Sequence, residues 1–388
     1  MSSAHQVDGH TLTLLRNGEE YFPRLIAAID DAVKTIYLET YIYAADESAK
    51  RVSAALKRAA RRGVLVRLML DGFGSADLPP IWEKDLLAEG VSVLWFRRET
   101  GNFGRYRYHL RRLHRKLALI DGRLAFVGGI NIIKDNPHGI ASPRLDYAVQ
   151  IEGAIVRDIH LAMQRLWSLV AWTNFRLRGK RKKIRQPVAE ATQQKVMFLV
   201  RDNFRHRRDI EHAYLQAIHL ARHEILISNA YFLPGRRFRK VLFAAAQRGV
   251  AVKLLLQGQT DHILLHYATQ SLYDRMLSAG VRIFEYEPAE LHAKVAVIDD
   301  DWATVGSSNI DPFSLLLSRE ANVVVRDAVL AGELRTSLEA AIKGAAREIR
   351  VEDQRRRSWP ARLASHAAYS LARLLIGVTR YAGKQYAD

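Results

Sequence analysis

Two segments of the chain carry, at one spacing, the residue types that phosphoryl chemistry needs. His114-Arg115-Lys116-Leu117-Ala118-Leu119-Ile120-Asp121 is followed by Gly128 and Asn131, and His292-Ala293-Lys294-Val295-Ala296-Val297-Ile298-Asp299 by Gly306 and Asn309. Both obey H-x-K-x4-D-x6-G-x2-N. With Lys and Asp each near one residue in twenty, a given His starts H-x-K-x4-D by chance roughly once in 400. A doubled copy with the same Gly and Asn downstream is therefore not accidental. Residues two apart on a strand face the same way, so His114 and Lys116 share one side of a sheet, as do His292 and Lys294. An imidazole can attack phosphorus, a second imidazole can protonate the leaving oxygen, and two ammonium groups can neutralise the non-bridging oxygens. Asn131 and Asn309 can add donors to the same oxygens. The two lysines supply the charge that a metal would bring, so this reading calls for no metal and no cofactor.

A nucleophilic imidazole also works better when a carboxylate fixes its tautomer through the other ring nitrogen. Asp146, in Arg144-Leu145-Asp146-Tyr147-Ala148-Val149, and Glu320, in Arg319-Glu320-Ala321-Asn322-Val323, are the candidates. Each stands at the start of an apolar strand shortly after its Gly-x-x-Asn.

The elements that must position these groups are themselves duplicated. Thr35-Ile36-Tyr37-Leu38-Glu39-Thr40-Tyr41-Ile42-Tyr43 aligns with Glu224-Ile225-Leu226-Ile227-Ser228-Asn229-Ala230-Tyr231-Phe232. Arg62-Gly63-Val64-Leu65-Val66 aligns with Arg248-Gly249-Val250-Ala251-Val252, and Gly90-Val91-Ser92-Val93 with Gly280-Val281-Arg282-Ile283. Each half reads helix, strand, helix, Gly turn, strand, helix, Gly turn, strand, which predicts an α/β sandwich. Asp121-Gly122 is a hairpin signal and Asp299 to Asp301 a looser one. If the halves pack face to face, two His and two Lys surround one pocket. The organisation expected is a first half over 1–175, a basic linker over 176–194, a second half over 195–350 and a tail over 351–388.

Among 388 residues, 59 Lys and Arg oppose 41 Asp and Glu, leaving a formal charge of +18. Hydrophobic residues make up 48% and charged ones 26%, which excludes wholesale disorder. The absence of cysteine excludes disulfides, thiol nucleophiles, iron–sulfur clusters and Cys-ligated zinc. Met1 to His10 lacks the apolar core of a secretory signal, and no apolar run reaches the length of a membrane span, so membrane contact is expected to be peripheral.

The paired segments resemble the phospholipase D superfamily, whose mark is the doubled H-x-K-x4-D, over roughly Leu12 to Ala345. Within it the chain is similar to bacterial cardiolipin synthases of the kind without transmembrane helices, through Ala125-Phe126-Val127-Gly128-Gly129-Ile130-Asn131, Asp146-Tyr147-Ala148-Val149 and Trp302 to Pro312. The resemblance implies two tandem halves related by a pseudo-two-fold axis around one shared site. It also implies a phosphatidyl-histidine intermediate made from one phosphatidylglycerol, with glycerol released, and transfer to a second phosphatidylglycerol. It makes His114, Lys116, Asp121, His292, Lys294 and Asp299 the catalytic set, with the two aspartates supporting the site rather than moving protons. By the same analogy His114 is the nucleophile and His292 the general acid. One departure is Gly129 where the second copy has Ser307, so the first site lacks one potential phosphate donor.

The positive charge falls in three places. The insert from Arg97 to Leu113 is basic and aromatic, and Arg105, Arg107, Arg111 and Arg112 are expected to grip lipid phosphates at the pocket mouth. Arg176 to Arg185 forms a basic run at the junction of the halves. In the tail, a helix from Trp359 to about Lys384 places Arg362, His366, Arg373, Arg380 and Lys384 on one narrow face, with Leu363, Leu371, Leu374, Leu375 and Val378 away from it. With Trp359 and Tyr381 as anchors, that pattern suits a bilayer interface rich in anionic lipid. Readings set against this one are a phosphatidylethanolamine-using synthase, a hydrolase, a nuclease of the same superfamily and a membrane-binding scaffold. The apolar tail face argues against the nuclease, since DNA offers nothing to bury it, and no nucleic-acid partner is expected. The two intact motifs argue against the scaffold.

Overall fold

The computed structural model describes residues 3–98, 111–136, 143–174, 194–202, 205–258, 263–311, 314, 318–356 and 358–378. The first sheet contains β1 (Ala4–Val7), β2 (His10–Arg16), β3 (Thr35–Thr40), β4 (Leu65–Asp71), β5 (Ser92–Phe96), β6 (Lys116–Ile120), β7 (Leu124–Gly128) and β8 (Tyr147–Glu152). Its strand order is β1-β2-β8-β7-β6-β3-β4-β5. The second contains β9 (Val196–Arg201), β10 (Glu224–Asn229), β11 (Ala251–Gln257), β12 (Arg282–Tyr286), β13 (Lys294–Ile298), β14 (Trp302–Gly306), β15 (Glu320–Arg326) and β16 (Ala346–Ile349). Its order is β16-β12-β11-β10-β13-β14-β15-β9; read backwards, the seven strands from β9 to β12 repeat the run from β2 to β5 of the first sheet.

Parallel neighbours β3, β4 and β5 need crossovers, and the helices α1 (Asn17–Asp30), α2 (Glu47–Arg61) and α3 (Pro80–Ala88) precede and link them. Asp46 caps α2 by accepting from the Ala49 N–H at 3.0 Å. The turns that leave the helices are set by Gly63 and Gly90 at φ +86° and +87°, matched by Gly249 and Gly280 at +90° and +88°. α4 (Val156–Thr173) follows β8. In the second half come α5 (Asp209–Leu220), α6 (Arg236–Gln247), α7 (Ile263–Gln270), α8 (Tyr273–Ser278) and α9 (Ala328–Ala345). They are followed by α10 (Val351–Arg356) and α11 (Trp359–Val378).

Both faces of each sheet are buried, which is why the central strands read as continuous apolar runs. Leu117, Leu119, Val127 and Val149 meet Val295, Val297, Val305 and Val323 in one core between the sheets. The alternate residues Ala118 and Ile120 lie under α1 and α2, and Ala296 and Ile298 under α5 and α6. Lys116 and Lys294 belong to this helix-covered parity. The halves pack sheet against sheet, as expected, and the two His-Lys pairs lie at the ends of β6 and β13, at the edge of that core.

Asp121 and Asp299 stand at the opposite end of β6 and β13, seven near-extended residues and roughly 20 Å from the histidines. Both adopt positive φ, at 51° and 49°, as hairpin turns require. The Asp121 carboxylate accepts from the backbone N–H groups of Val33, Lys34 and Thr35 at 2.9, 2.7 and 2.8 Å. Asp299 does the same for Arg222, His223 and Glu224 at 2.9, 2.8 and 3.1 Å. The motif aspartates support from the far end of the strand: each clamps the approach to β3 or β10, and with it the register of the motif strand. Burial raises the Asp121 carboxyl, but the three N–H donors outweigh it and hold the group below its usual range. A depressed folded-state pKa contributes stability that is present above the unfolded value and lost as pH falls through the folded one. Asp121→Asn is expected to cost about 1 kcal/mol at pH 7, with the difference from wild type shrinking below pH 4 in urea melts.

Candidate active site

The strand ends are stitched together across the halves by backbone hydrogen bonds. The His114 N–H donates to the Arg319 carbonyl at 3.0 Å, and Arg319 N–H to the Arg112 carbonyl at 2.8 Å. With the halves exchanged, the His292 N–H donates to Leu145 O at 2.9 Å and Leu145 N–H to Glu290 O at 3.0 Å. The residue before each histidine is pinned from behind: Leu113 N–H by Asp71 Oδ2 at 2.7 Å, Leu291 N–H by Gln257 Oε1 at 2.8 Å. Arg144 adds an ion pair to Glu290 at 2.5 Å.

This stitching decides which carboxylate serves which imidazole. Glu320 follows Arg319, and its Oε2 lies 3.0 Å from His114 Nδ1. Asp146 follows Leu145, and its Oδ2 lies 2.6 Å from His292 Nδ1. Each half therefore orients the histidine of the other, a crossing that spacing alone had left open. With Nδ1 engaged, Nε2 is the nitrogen available for chemistry.

Both lysines are buried, Lys294 completely. Lys116 Nζ donates to the His114 carbonyl at 2.8 Å, and Lys294 Nζ to the His292 carbonyl. Burial pushes Lys294 down to about 8, and burial together with the Lys294 charge puts Lys116 well below its ordinary value. Burial lowers His114 although Glu320 opposes it; burial, Lys294 and Arg144 lower His292 further. Asp146 rises to about 7 through burial, against the pull of Lys294. The imidazoles lie beside two desolvated lysines, whose charges the Glu320 and Asp146 carboxylates oppose. Asn131 Nδ2 and Asn309 Oδ1 are buried there without partners among the described residues.

Ser307 does not play the part expected of it. Its Oγ donates to Glu320 Oε2 at 2.6 Å and accepts from the Ala321 N–H at 3.0 Å, so the hydroxyl fixes the carboxylate rather than phosphate. At the matching position a Cβ on Gly129 would lie 2.2 Å from Asp146 Oδ1. Ser with Glu and Gly with Asp are two solutions to the same placement, and the first half lacks no donor on this account.

Sequence reasoning missed Tyr41, Asp71, Gln257 and the Arg115–Glu39 pair. The Tyr41 ring packs edge-on to His114 at 4.9 Å between centroids and lies 5.3 Å from Lys116 Nζ. Arg115 Nε and an Nη each donate to Glu39 at 2.9 Å in a buried fork. The repeat alignment sets Tyr41 against Ala230, Glu39 against Ser228 and Arg115 against Ala293, so the signal was the mismatch within the repeat. Arg112 stacks over the exposed Phe73 ring at 4.0 Å, and Arg111 is half-buried. Arg105, Arg107 and the basic run 176–185 lie outside the described residues.

The tail helix α11 docks through its small residues. Ser365, Ala368 and Ala372 are buried, and Tyr369 Oη accepts from an Arg239 guanidinium N–H at 2.9 Å. The large apolar side chains face away: Trp359 is 75% exposed, Leu363 60%, Leu371 46% and Leu374 63%. Arg362 and His366 flank this surface. The side chain of Arg373, and Arg380 with the rest of 379–388, lie outside the described residues. No helix among the described residues is long and apolar enough to cross a membrane.

A family model described as cardiolipin synthase, PLD-like domain, matches residues 25–167 and 214–342. The chain is 40% identical over 363 residues to cardiolipin synthase B of Escherichia coli K12, covering 91% of this chain and 85% of that one. It is 30% identical over 321 residues to a probable cardiolipin synthase of Bacillus subtilis, covering 82% and 63%. Its fold is similar to that of a phosphatidylserine synthase from Haemophilus influenzae, with a TM-score of 0.69 over 96% of both chains at 13% identity. By the match to both halves and the identity along nearly the whole length, the chain belongs to the phospholipase D-like family of cardiolipin synthases.

Proposed function

We propose that this chain makes cardiolipin from two phosphatidylglycerol molecules at one site shared by its halves. The reading rests on the crossed His114–Glu320 and His292–Asp146 pairs closing around two buried lysines. His114 is neutral and oriented by Glu320, which suits its Nε2 to attack the phosphorus of the first lipid. The P–O bond to glycerol breaks, and His292 gives its proton to the departing oxygen. His292 then takes the proton from a glycerol hydroxyl of the second lipid as that oxygen attacks phosphorus and frees His114. Lys116 and Lys294 face the non-bridging oxygens and offset the charge that develops there.

His292 is assigned the proton-handling role because its dyad with Asp146 holds an extra proton near neutrality, Asp146 lying at about 7. The site is delivered to lipid by α11, whose Trp359, Leu363, Leu371 and Leu374 lie outward for burial at the acyl boundary, beside Arg362 for anionic headgroups. The domain division stands within the same proposal: two catalytic halves, a basic linker and a membrane-facing tail.

Purified protein on phosphatidylglycerol vesicles is expected to yield cardiolipin and glycerol in equal amounts by mass spectrometry. His114→Ala and His292→Ala should each lose at least 1,000-fold in turnover. Phosphatidic acid in place of cardiolipin would make the chain a hydrolase and overturn the reading. Single-turnover glycerol release should fall as pH rises through about 7, because the dyad must enter the first step protonated; Asp146→Asn should abolish that limb. Leu371→Glu combined with Leu374→Glu should lower vesicle binding in flotation at least tenfold, since each leucine contributes roughly 1.5–3 kcal/mol when buried. Turnover of dispersed short-chain lipid should be unchanged.

A further inference from the structure

We propose that Asn229, outside both motif segments, is a catalytic residue that donates through Nδ2 to a non-bridging phosphate oxygen. The proposal deepens the phosphatidyl-transfer reading and rests on it for the identity of the phosphate. Asn229 ends β10 directly opposite Lys294 in the antiparallel register, so the two side chains lie on the same face about 5 Å apart at Cβ. It is completely buried. Its amide orientation is not arbitrary: Oδ1 accepts from the Ile310 N–H at 3.1 Å, which leaves Nδ2 as the free end. That Nδ2 is buried with no partner among the described residues. A buried N–H without an acceptor is costly, and beside a desolvated ammonium the group that satisfies both is an anion's oxygen.

The other half supplies an independent comparison. Asn131 Oδ1 accepts from the Ile42 N–H at 3.1 Å, and its Nδ2 is likewise buried and unpartnered. Ile42 lies just beyond β3 and Ile310 just beyond β14. The same bond between strand ends is thus made in both halves, once by an amide following β7 and once by an amide ending β10. By sequence the counterpart of Asn131 is Asn309, but by bonding it is Asn229. The residue aligned with Asn229 in the first half is Thr40, whose Oγ1 is occupied by the Ile42 carbonyl at 2.9 Å. An uncharged donor suits the place, because a carboxylate there would neutralise Lys294.

Asn229→Asp keeps the acceptor for Ile310 N–H and removes the donor. Full-length Asn229→Asp is expected to melt within about 2 °C of wild type, to release glycerol about 100-fold more slowly, and to bind orthovanadate at least tenfold more weakly in competition assays. Because the aspartate also sets a carboxylate beside Lys294, the uncharged Asn229→Thr, which copies the first half, decides the matter; it should show the same losses to a smaller degree. Wild-type orthovanadate affinity in the folded variants would overturn the proposal, as would loss of turnover only in step with loss of folded protein. Orthovanadate binding does not depend on lipid. A wild-type protein that binds it but makes no cardiolipin would refute the lipid reading while leaving Asn229 tested.

Discussion

Everything catalytic in this molecule depends on the backbone exchange between the lead-ins to β6 and β13 and those to β15 and β8. The His114 N–H on the Arg319 carbonyl and the His292 N–H on the Leu145 carbonyl fix the seam to within a hydrogen bond. One residue further along, the same two strands deliver Glu320 and Asp146 to the imidazoles. Neither half contains an oriented histidine by itself. The apolar core between the sheets is what makes so exact a seam affordable in free energy: each Leu or Val buried there stabilises by roughly 1.5–3 kcal/mol relative to exposure. Further bonds tie the periphery, with Tyr147 Oη 2.8 Å from Ser337 Oγ and His5 Nε2 2.9 Å from Glu333.

Within that frame the site holds buried charges in opposition. Two lysines are stripped of water and turned onto carbonyls, where burial lowers both pKa values. Such a pair is costly to bury, and the Glu320 and Asp146 carboxylates oppose that cost. The imidazoles respond in the same direction, burial favouring their neutral forms. The nearby buried Arg115–Glu39 fork is already paired and contributes rigidity at the base of β6 rather than charge to the site.

Much of this was legible in the residues. The repeat placed six strands of each half, because β-branched runs bounded by glycine turns leave little freedom, and the motif spacing named His114, Lys116, His292 and Lys294. What could not be read was three-dimensional in origin. The strict i, i+2 logic assigned the His-Lys face correctly but not what covers it, since strands apolar on both faces do not announce which side meets the partner sheet. The motif aspartates were read as supports, but not where they act: their hairpin φ values and backbone acceptance belong to the other end of the strand. Asp71 and Gln257 were invisible for a different reason: they pin Leu113 and Leu291 through side chains of different charge, so no residue-type signal repeats.

The departures from the repeat are therefore the informative positions. A duplicated chain that kept both sites identical would hold two equivalent histidines, whereas the two steps of a transfer need one group to carry phosphorus and another to carry a proton. Ser307 with Glu320 against Gly129 with Asp146, and Tyr41 against Ala230, fall beside the histidines, while Asn229 against Thr40 falls opposite Lys294. The first set makes the His292 dyad the shorter and more deeply buried of the two, at 2.6 Å against 3.0 Å. The second packs an aromatic edge on His114 alone. One duplicated unit builds both strand ends, and local substitutions within it give the two histidines unlike surroundings.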